Sequence, residues 1–269
     1  MARKYRWIPA LTATWLACHS IASAQSHILL LDKSSVAADQ VVTCSLRFGR
    51  PFAHQMLPVQ RPTHAAVRLP DGTSADLLPK LDRVENNTPD GASITSFEWK
   101  YTPTQRGDYT FIVRTAPIWI AEQNIFVEDT VKVTLHVQDQ IDWDVPAGMP
   151  LELVPLTRPY GLRAGFTFQA MVVSGRDAAP LPRTLVEIER FNSAPPKELP
   201  PVEHMVRTVR TDPAGVATAT LPESGWWGLT AVTDGGERER AGRNYPVKRR
   251  STFWIYVDDK VPLTPIKPM

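Results

Sequence analysis

The chain has 269 residues, with 30 Lys+Arg against 28 Asp+Glu and two cysteines. That length holds one large domain or two ordinary ones, and the near-neutral balance leaves no electrostatic footprint for nucleic acid or a polyanionic substrate. Cys18 falls in an N-terminal segment predicted to be removed, so Cys44 stands alone and no internal disulfide can staple the fold.

Residues 1–24 have the layout of a cleaved secretory signal peptide. Arg3, Lys4 and Arg6 form a basic start, an apolar run follows over 7–17, and Ala22-Ser23-Ala24 is a small-x-small cleavage signal. The apolar run is too short to span a bilayer. A lipid anchor at Cys18 is disfavoured, because Trp15 stands three residues before it where a Leu-like side chain is wanted. The expected location is therefore the periplasm. Removing the leader takes three basic residues with it and brings the formal charge to −1.

Cleavage after Ala24 would expose Gln25-Ser26-His27. A free amine, two deprotonated backbone amides and the His27 imidazole can wrap one ion in square-planar nitrogen coordination, which suits Ni(II) or Cu(II). His27 reads equally well as a polar residue opening a strand before the apolar residues 28–31.

The rest of the chain is rich in Pro, Thr and Val and alternates at period two, which predicts an all-β protein. Strands are expected over 41–48, 65–69, 94–101 and 108–114, with turns at Pro70-Asp71-Gly72 and Gln105-Arg106-Gly107-Asp108. Gly107-Asp108-Tyr109 resembles the corner of an immunoglobulin-like sandwich that a tyrosine pins. The clearest strand is 130–137. It places Val131, Val133, Leu135 and Val137 on a buried face, and Lys132, Thr134 and His136 on a solvent face. Cys44, inside an apolar run, is expected in the core.

Residues 139–149 turn polar and read as a domain linker. Beyond them, strands are predicted over 151–154, 166–173, 185–190, 205–211, 216–221, 228–233 and 252–257, with a tight turn at Thr211-Asp212-Pro213-Ala214-Gly215. This half resembles a transthyretin-like or carboxypeptidase-regulatory sandwich. Residues 191–203 read as a stiff Pro-rich loop, 235–240 as a charged hairpin loop or disordered tip, and Lys248-Arg249-Arg250 as a solvated cluster. The predicted organisation is thus two tandem β-sandwich domains, immunoglobulin-like over 25–138 and transthyretin-like over 150–258, with a Pro-rich tail over 259–269.

Three segments go beyond a generic sandwich: Arg50-Pro51-Phe52-Ala53-His54-Gln55-Met56; Leu153-Val154-Pro155-Leu156-Thr157-Arg158-Pro159-Tyr160-Gly161-Leu162; and Leu221-Pro222-Glu223-Ser224-Gly225-Trp226-Trp227-Gly228. Together with His27, they resemble the periplasmic components of bacterial cobalt/nickel ECF-type transport systems, which belong to a large domain-of-unknown-function family. The resemblance implies an exported, mostly β protein that binds nickel or cobalt and aids its uptake by a membrane transporter. Arg50 stands where that family often has a His before Pro-Phe.

The metal-ligating candidates are His27, His54, Met56 and Glu122. His54 and Met56 lie two apart and could face one way on extended backbone, as mixed N and S donors for a borderline or soft ion. Glu122 follows the resemblance and could ligate or orient a His. Arg158 and Tyr160 are expected to brace the contact between domains. Of Trp226 and Trp227, one should plug the core and the other cover an edge or the junction. His64 and His136 read as solvent-facing. No H-E-x-x-H, G-x-S-x-G or phosphate loop is present, and the expectation is a non-enzyme. Two rivals remain beside Ni(II)/Co(II) capture: a metal-free envelope interaction module, and a periplasmic copper-handling protein.

Overall fold

This computed structural model describes residues 25–87, 93–175 and 177–259. The leader, and the tail beyond residue 259, lie outside that description. The first half contributes β1 (Ser26–Leu31), β2 (Ser35–Val36), β3 (Val42–Arg50), β4 (Gln55–Leu57), β5 (His64–Arg68) and β6 (Ser74–Asp76). It continues with β7 (Asp82–Asn87), β8 (Ser93–Tyr101), β9 (Gly107–Arg114), β10 (Ile118–Ile120) and β11 (Ile125–Val137). The second half contributes β12 (Leu151–Pro155), β13 (Leu162–Arg163), β14 (Phe166–Ser174), β15 (Ala179–Pro180) and β16 (Leu185–Arg190). It ends with β17 (Val206–Arg210), β18 (Val216–Leu221), β19 (Gly225–Arg240) and β20 (Arg243–Asp258). Among the described residues, helix is confined to single turns at Leu78–Lys80 and Val202–Met205.

The all-β expectation is met, and the strands assemble in an unexpected way. A sheet ordered β1-β3-β8-β7 covers the first half, and a sheet of β12, β14, β15 and β18 covers the second. Between them runs one continuous sheet, β17-β16-β19-β20-β11-β9-β5-β6, which belongs to both. The halves fuse where β11 pairs in parallel with β20, from Phe126↔Val247 to Val133↔Trp254. Strand alternation then directs β20 into two cores at once. Trp254 joins Val131, Val133, Leu135 and the β1 and β3 side chains in the first core. Phe253, Ile255 and Val257 join Leu153, Phe168, Val172 and Leu229 in the second. The two cores therefore lie on opposite faces of the shared sheet. Phe191, also from the second half, packs in the first core with Trp254.

This arrangement corrects three expectations. The face of β11 read as solvent-exposed is buried at Lys132 and Thr134, because the second sandwich's strand β12 lies near it. His136 is not solvent-facing: its Nδ1–H donates to Asp108 Oδ1 at 2.8 Å, and its ring stacks on Tyr160 at 3.9 Å. Residues 235–240 are neither loop nor disordered tip, but the far part of β19, paired with β20 as far as Arg240↔Arg243. Cys44 is a buried free thiol, as expected, and burial pushes its pKa well up. Tyr109 makes the corner, its hydroxyl donating to the Gln105 carbonyl at 3.0 Å and accepting the Gln105 N–H at 2.8 Å.

Lys132 and Glu152 meet across the junction at 2.6 Å, with side chains only 3% and 1% exposed. Glu152 also accepts the Ala147 and Met149 N–H groups, which ties the polar segment 139–149 to the same pair. Burial pushes the Lys132 pKa down, and the Glu152 carboxylate opposes that shift. Lys132→Met would strand the carboxylate in the interior and is expected to cost about 3–5 kcal/mol in urea unfolding. Lys132→Met combined with Glu152→Leu should cost much less, because no uncompensated charge remains. A single variant no worse than the double would show that the pair is not coupled.

Candidate functional site

His27 lies in β1 opposite Phe48 of β3, on the same inward-facing row as Leu29 and Leu31. Its side chain is 2% exposed. Facing it from the shared sheet is Asp129, which continues the core row Val131, Val133, Leu135 and Val137 by one further inward position. Asp129 is ionised, so the contact fixes the tautomer: His27 Nδ1–H donates to Asp129 Oδ2 at 2.9 Å. Arg250, directly across the β11–β20 pairing, closes a two-pronged contact on the same carboxylate at 2.6 and 2.5 Å. Burial would raise the Asp129 pKa, but the Arg250 charge and the hydrogen bonds from His27 and Arg250 hold it well below the usual carboxylate range.

His27 Nε2 is left with no partner. Of the four such buried side-chain atoms among the described residues, it is the one whose lone pair suits a borderline cation. The ring packs against Phe48 at 4.8 Å, and the His27 carbonyl accepts the Trp254 indole N–H at 3.0 Å. The imidazole is thus held by Asp129 and Phe48, its backbone is pinned by Trp254, and Nε2 is left uncommitted. The terminal chelate read from the sequence would need His27 Nδ1, the ring nitrogen nearer the backbone, and that atom is committed to Asp129.

The neighbourhood is polar and confined. Ser26, Pro51, Glu187, Glu189, Gly228, Thr230, Arg250 and Trp254 line a small cavity beside the β1 N-terminus. Gly228 lets the Trp254 ring approach closely there: a Cβ would lie 3.0 Å from that ring. Thr230 and Thr252 hydroxyls bond each other across β19 and β20 at 2.9 Å. Glu189 accepts the Phe52 N–H at 2.9 Å. Burial raises its pKa to about 8, and Glu187 on the same strand face adds to the rise; the Phe52 hydrogen bond and Arg50 oppose it.

The other sequence candidates go elsewhere. His54 adopts a φ of 51°, which breaks the extended run with Met56. Its Nδ1–H donates to the Asn192 carbonyl at 2.6 Å, and Asn192 Nδ2 donates back to the Phe52 carbonyl at 2.6 Å. His54 is therefore part of a clasp between the halves. Met56, in β4, packs on the first core. Glu122 is exposed in the turn between β10 and β11, and lines the same pocket as Gln25. Among the described residues, no three His, Cys, Asp or Glu side chains gather as a metal-holding group. Tyr160 donates to Asp108 Oδ2 at 2.9 Å, and the Arg158 guanidinium sits 5.3 Å over its ring. Burial and the Asp108 charge push the Tyr160 pKa up. Trp227 plugs the second core, while Trp226 packs on the first core at the rim of a cleft with Tyr256.

Sequence reasoning missed Asp129, Arg250, Glu187 and Glu189. Arg250 was expected to be solvated but is buried. Asp129 did carry a signal: extending the inward row of β11 two residues upstream places a carboxylate in the core, which demands a buried partner. Glu187 and Glu189 carried none, because alternation with Val186 and Ile188 reads as an ordinary solvent face.

Glu189→Gln keeps an acceptor for the Phe52 N–H and removes the titration. The folded-state pKa lies above the unfolded value of 4.5, so this group's stabilisation is complete below about pH 4.5 and is lost as pH rises through about 8. Urea unfolding should therefore find Glu189→Gln close to wild type at about pH 5 and more stable by a few kcal/mol at about pH 9. Equal pH slopes for the two proteins would overturn the assignment.

The family described as "Domain of unknown function (DUF4198)" matches residues 22–235, and the chain belongs to it. No curated protein matches. Among solved structures, a DUF4785 family protein from Legionella pneumophila is similar at 10% identity, over 76% of this chain and 51% of its own, with a TM-score of 0.27. The native form of Escherichia coli alpha-2-macroglobulin gives 15% identity, 88% and 14% coverage and 0.25. The Yersinia pseudotuberculosis adhesin InvE gives 14%, 86%, 60% and 0.22. The chain spans less than two thirds of each of these structures, and at such scores they carry no functional argument.

Proposed function

We propose that this DUF4198-family chain is an exported protein that captures Ni(II) or Co(II) outside the cytoplasmic membrane and aids its uptake by a membrane transporter. One observation carries the reading: a buried imidazole whose Nδ1–H is held by a carboxylate and whose Nε2 has no partner. That is the arrangement in which an outer carboxylate fixes the tautomer of a metal-ligating His and raises its basicity. His27 Nε2 would be the anchoring ligand and Asp129 the orienting group, itself held by Arg250. Further ligands would come from the new terminus at Gln25, two residues away. The resemblance of the three sequence segments to cobalt/nickel uptake components supports the choice of ion, and the leader supports export.

The test is calorimetric titration of the exported protein with Ni(II), Co(II) and Cu(II). One tight Ni(II) site is expected, weakened at least about tenfold by His27→Ala and about 10–100-fold by Asp129→Asn. His54→Ala should leave affinity unchanged, since its ring is committed to Asn192. Near-ultraviolet circular dichroism would confirm that the variants stay folded. Cu(II) bound far more tightly than Ni(II) would favour copper handling. Wild type no tighter than His27→Ala for every ion would leave the metal-free envelope module as the better reading.

A further inference from the structure

A second cavity, of about 640 Å³, opens beside this centre. It falls within the usual range for a small-molecule pocket. Its floor comes from the shared sheet, at Glu187, Val232, Lys248 and Arg250, and one rim comes from Gln25, Phe48 and Arg50. The opposite wall is the β10–β11 hairpin. Strand alternation sorts that hairpin into two faces. Ile118↔Val127 and Ile120↔Ile125 share one face and line the pocket, while Trp119, which borders the pocket too, pairs with Phe126 on the other face.

The outer face is clamped. Trp119 stands edge-on to Tyr245 at 4.8 Å and tilts against Phe126 at 5.0 Å, with Arg240 stacked over its ring at 4.9 Å. Arg238 sits over Phe126 at 5.7 Å. All three clamping residues come from the long β19–β20 hairpin, so the apolar wall is held before any ligand arrives.

The charges in the pocket differ in how they are engaged. Arg250 is taken by Asp129. Among the described residues, Arg50 bonds only the neutral Gln55 amide, at 3.3 Å. Lys248 lies opposite Asp234 in the β19–β20 ladder, but the Asp234 carboxylate accepts the Gly236 N–H. Among the described residues, neither Arg50 nor Lys248 forms an ion pair with a carboxylate. The acids facing the cavity are Glu122, exposed in the hairpin turn, and Glu187, whose burial favours the neutral form against the pull of Arg250 and Lys248. Cationic groups on one side and a preformed branched-aliphatic wall on the other define a ligand with an anionic head and an apolar body.

We propose that this pocket binds a small organic carboxylate, with Arg50 and Lys248 receiving the carboxylate and Ile118, Ile120 and Ile125 covering the apolar body. The site does not depend on the metal reading, and the test is run in buffer containing a metal chelator. The exported protein is titrated calorimetrically with straight-chain monocarboxylates from acetate to decanoate, and with the matching uncharged amides.

Affinity for the acids should rise about threefold or more per methylene until the wall is covered. The amides should bind at least about tenfold more weakly, having lost a charged partner for the cations. Arg50→Gln and Lys248→Gln should each weaken the acids by about tenfold while leaving the thermal midpoint near wild type, because both side chains lack an ion pair to break. Ile120→Asp, on the wall, should remove the dependence on chain length. The proposal is overturned by any of three results: no member binding at millimolar concentration, amides matching acids, or both glutamine variants binding like wild type.

Discussion

Parallel pairing of β11 with β20 is the constraint on which the rest of the structure depends. It joins two sandwiches through backbone hydrogen bonds in place of a flexible linker, and places residues from opposite ends of the chain on one surface. Period-two alternation does the rest. On one face of β20, Arg250, Thr252 and Trp254 turn to the first half; on the other, Phe253, Ile255 and Val257 turn to the second. A register slip of one residue would send the aliphatic row into the wrong core, so the pairing is fixed from both sides.

The same geometry explains why charge is concentrated at the junction. Under the β1 end of sheet β1-β3-β8-β7, where His27 lies over Asp129, the row of inward side chains changes from aliphatic to polar. Asp129 follows Val131, Arg250 follows Thr252, and Glu187 and Glu189 lie beyond them. Each ion there is costly to bury alone. The Asp129–Arg250 contact and the His27 hydrogen bond leave one atom unsatisfied, His27 Nε2, at the end of the chain where export would free an amine. Lys132–Glu152 is the counterpart on the opposite face, where a charged pair is fully enclosed and all its strong partners are internal. The contrast between a closed pair and an open triad is what separates a structural junction from a candidate ligand site.

Much of the fold was legible in the sequence. The alternation of 130–137 gave the correct inward row, the Gly107-Asp108-Tyr109 corner was found in place, and Cys44 was assigned correctly to the core. What could not be read was partnership between strands far apart in the chain. Lys132 and His136 look solvent-facing because an alternating strand is ordinarily covered on one side only, and nothing local announces a second sandwich. Residues 235–240 look like a loop because Gly235-Gly236 and four charges hide a long hairpin, whose register shift lies between Asp234 and Glu237. At the site, His27 was visible through its position, while its partner Asp129 lies 102 residues away and the Arg250 that holds Asp129 a further 121. His54 and Met56 were paired by spacing alone, and the positive φ at His54 removed the extended geometry that the pairing required.

The long β19–β20 hairpin ties these levels together. An isolated two-stranded ribbon is marginal in water, so a hairpin of sixteen-residue strands must be supported along its length. Near its base it forms the centre of the shared sheet. Near its tip, Arg238, Arg240 and Tyr245 clamp Trp119 and Phe126. The support is mutual: β10, only three residues long, has little core of its own, and the cation–π and edge-on contacts hold it over the pocket. The clamp behind the pocket wall, most of the pocket floor and the Arg250 prong on Asp129 thus belong to one continuous ribbon. The tip of the hairpin touches the wall directly, at Trp119 and Phe126, and reaches the His27 centre only through the well-packed base.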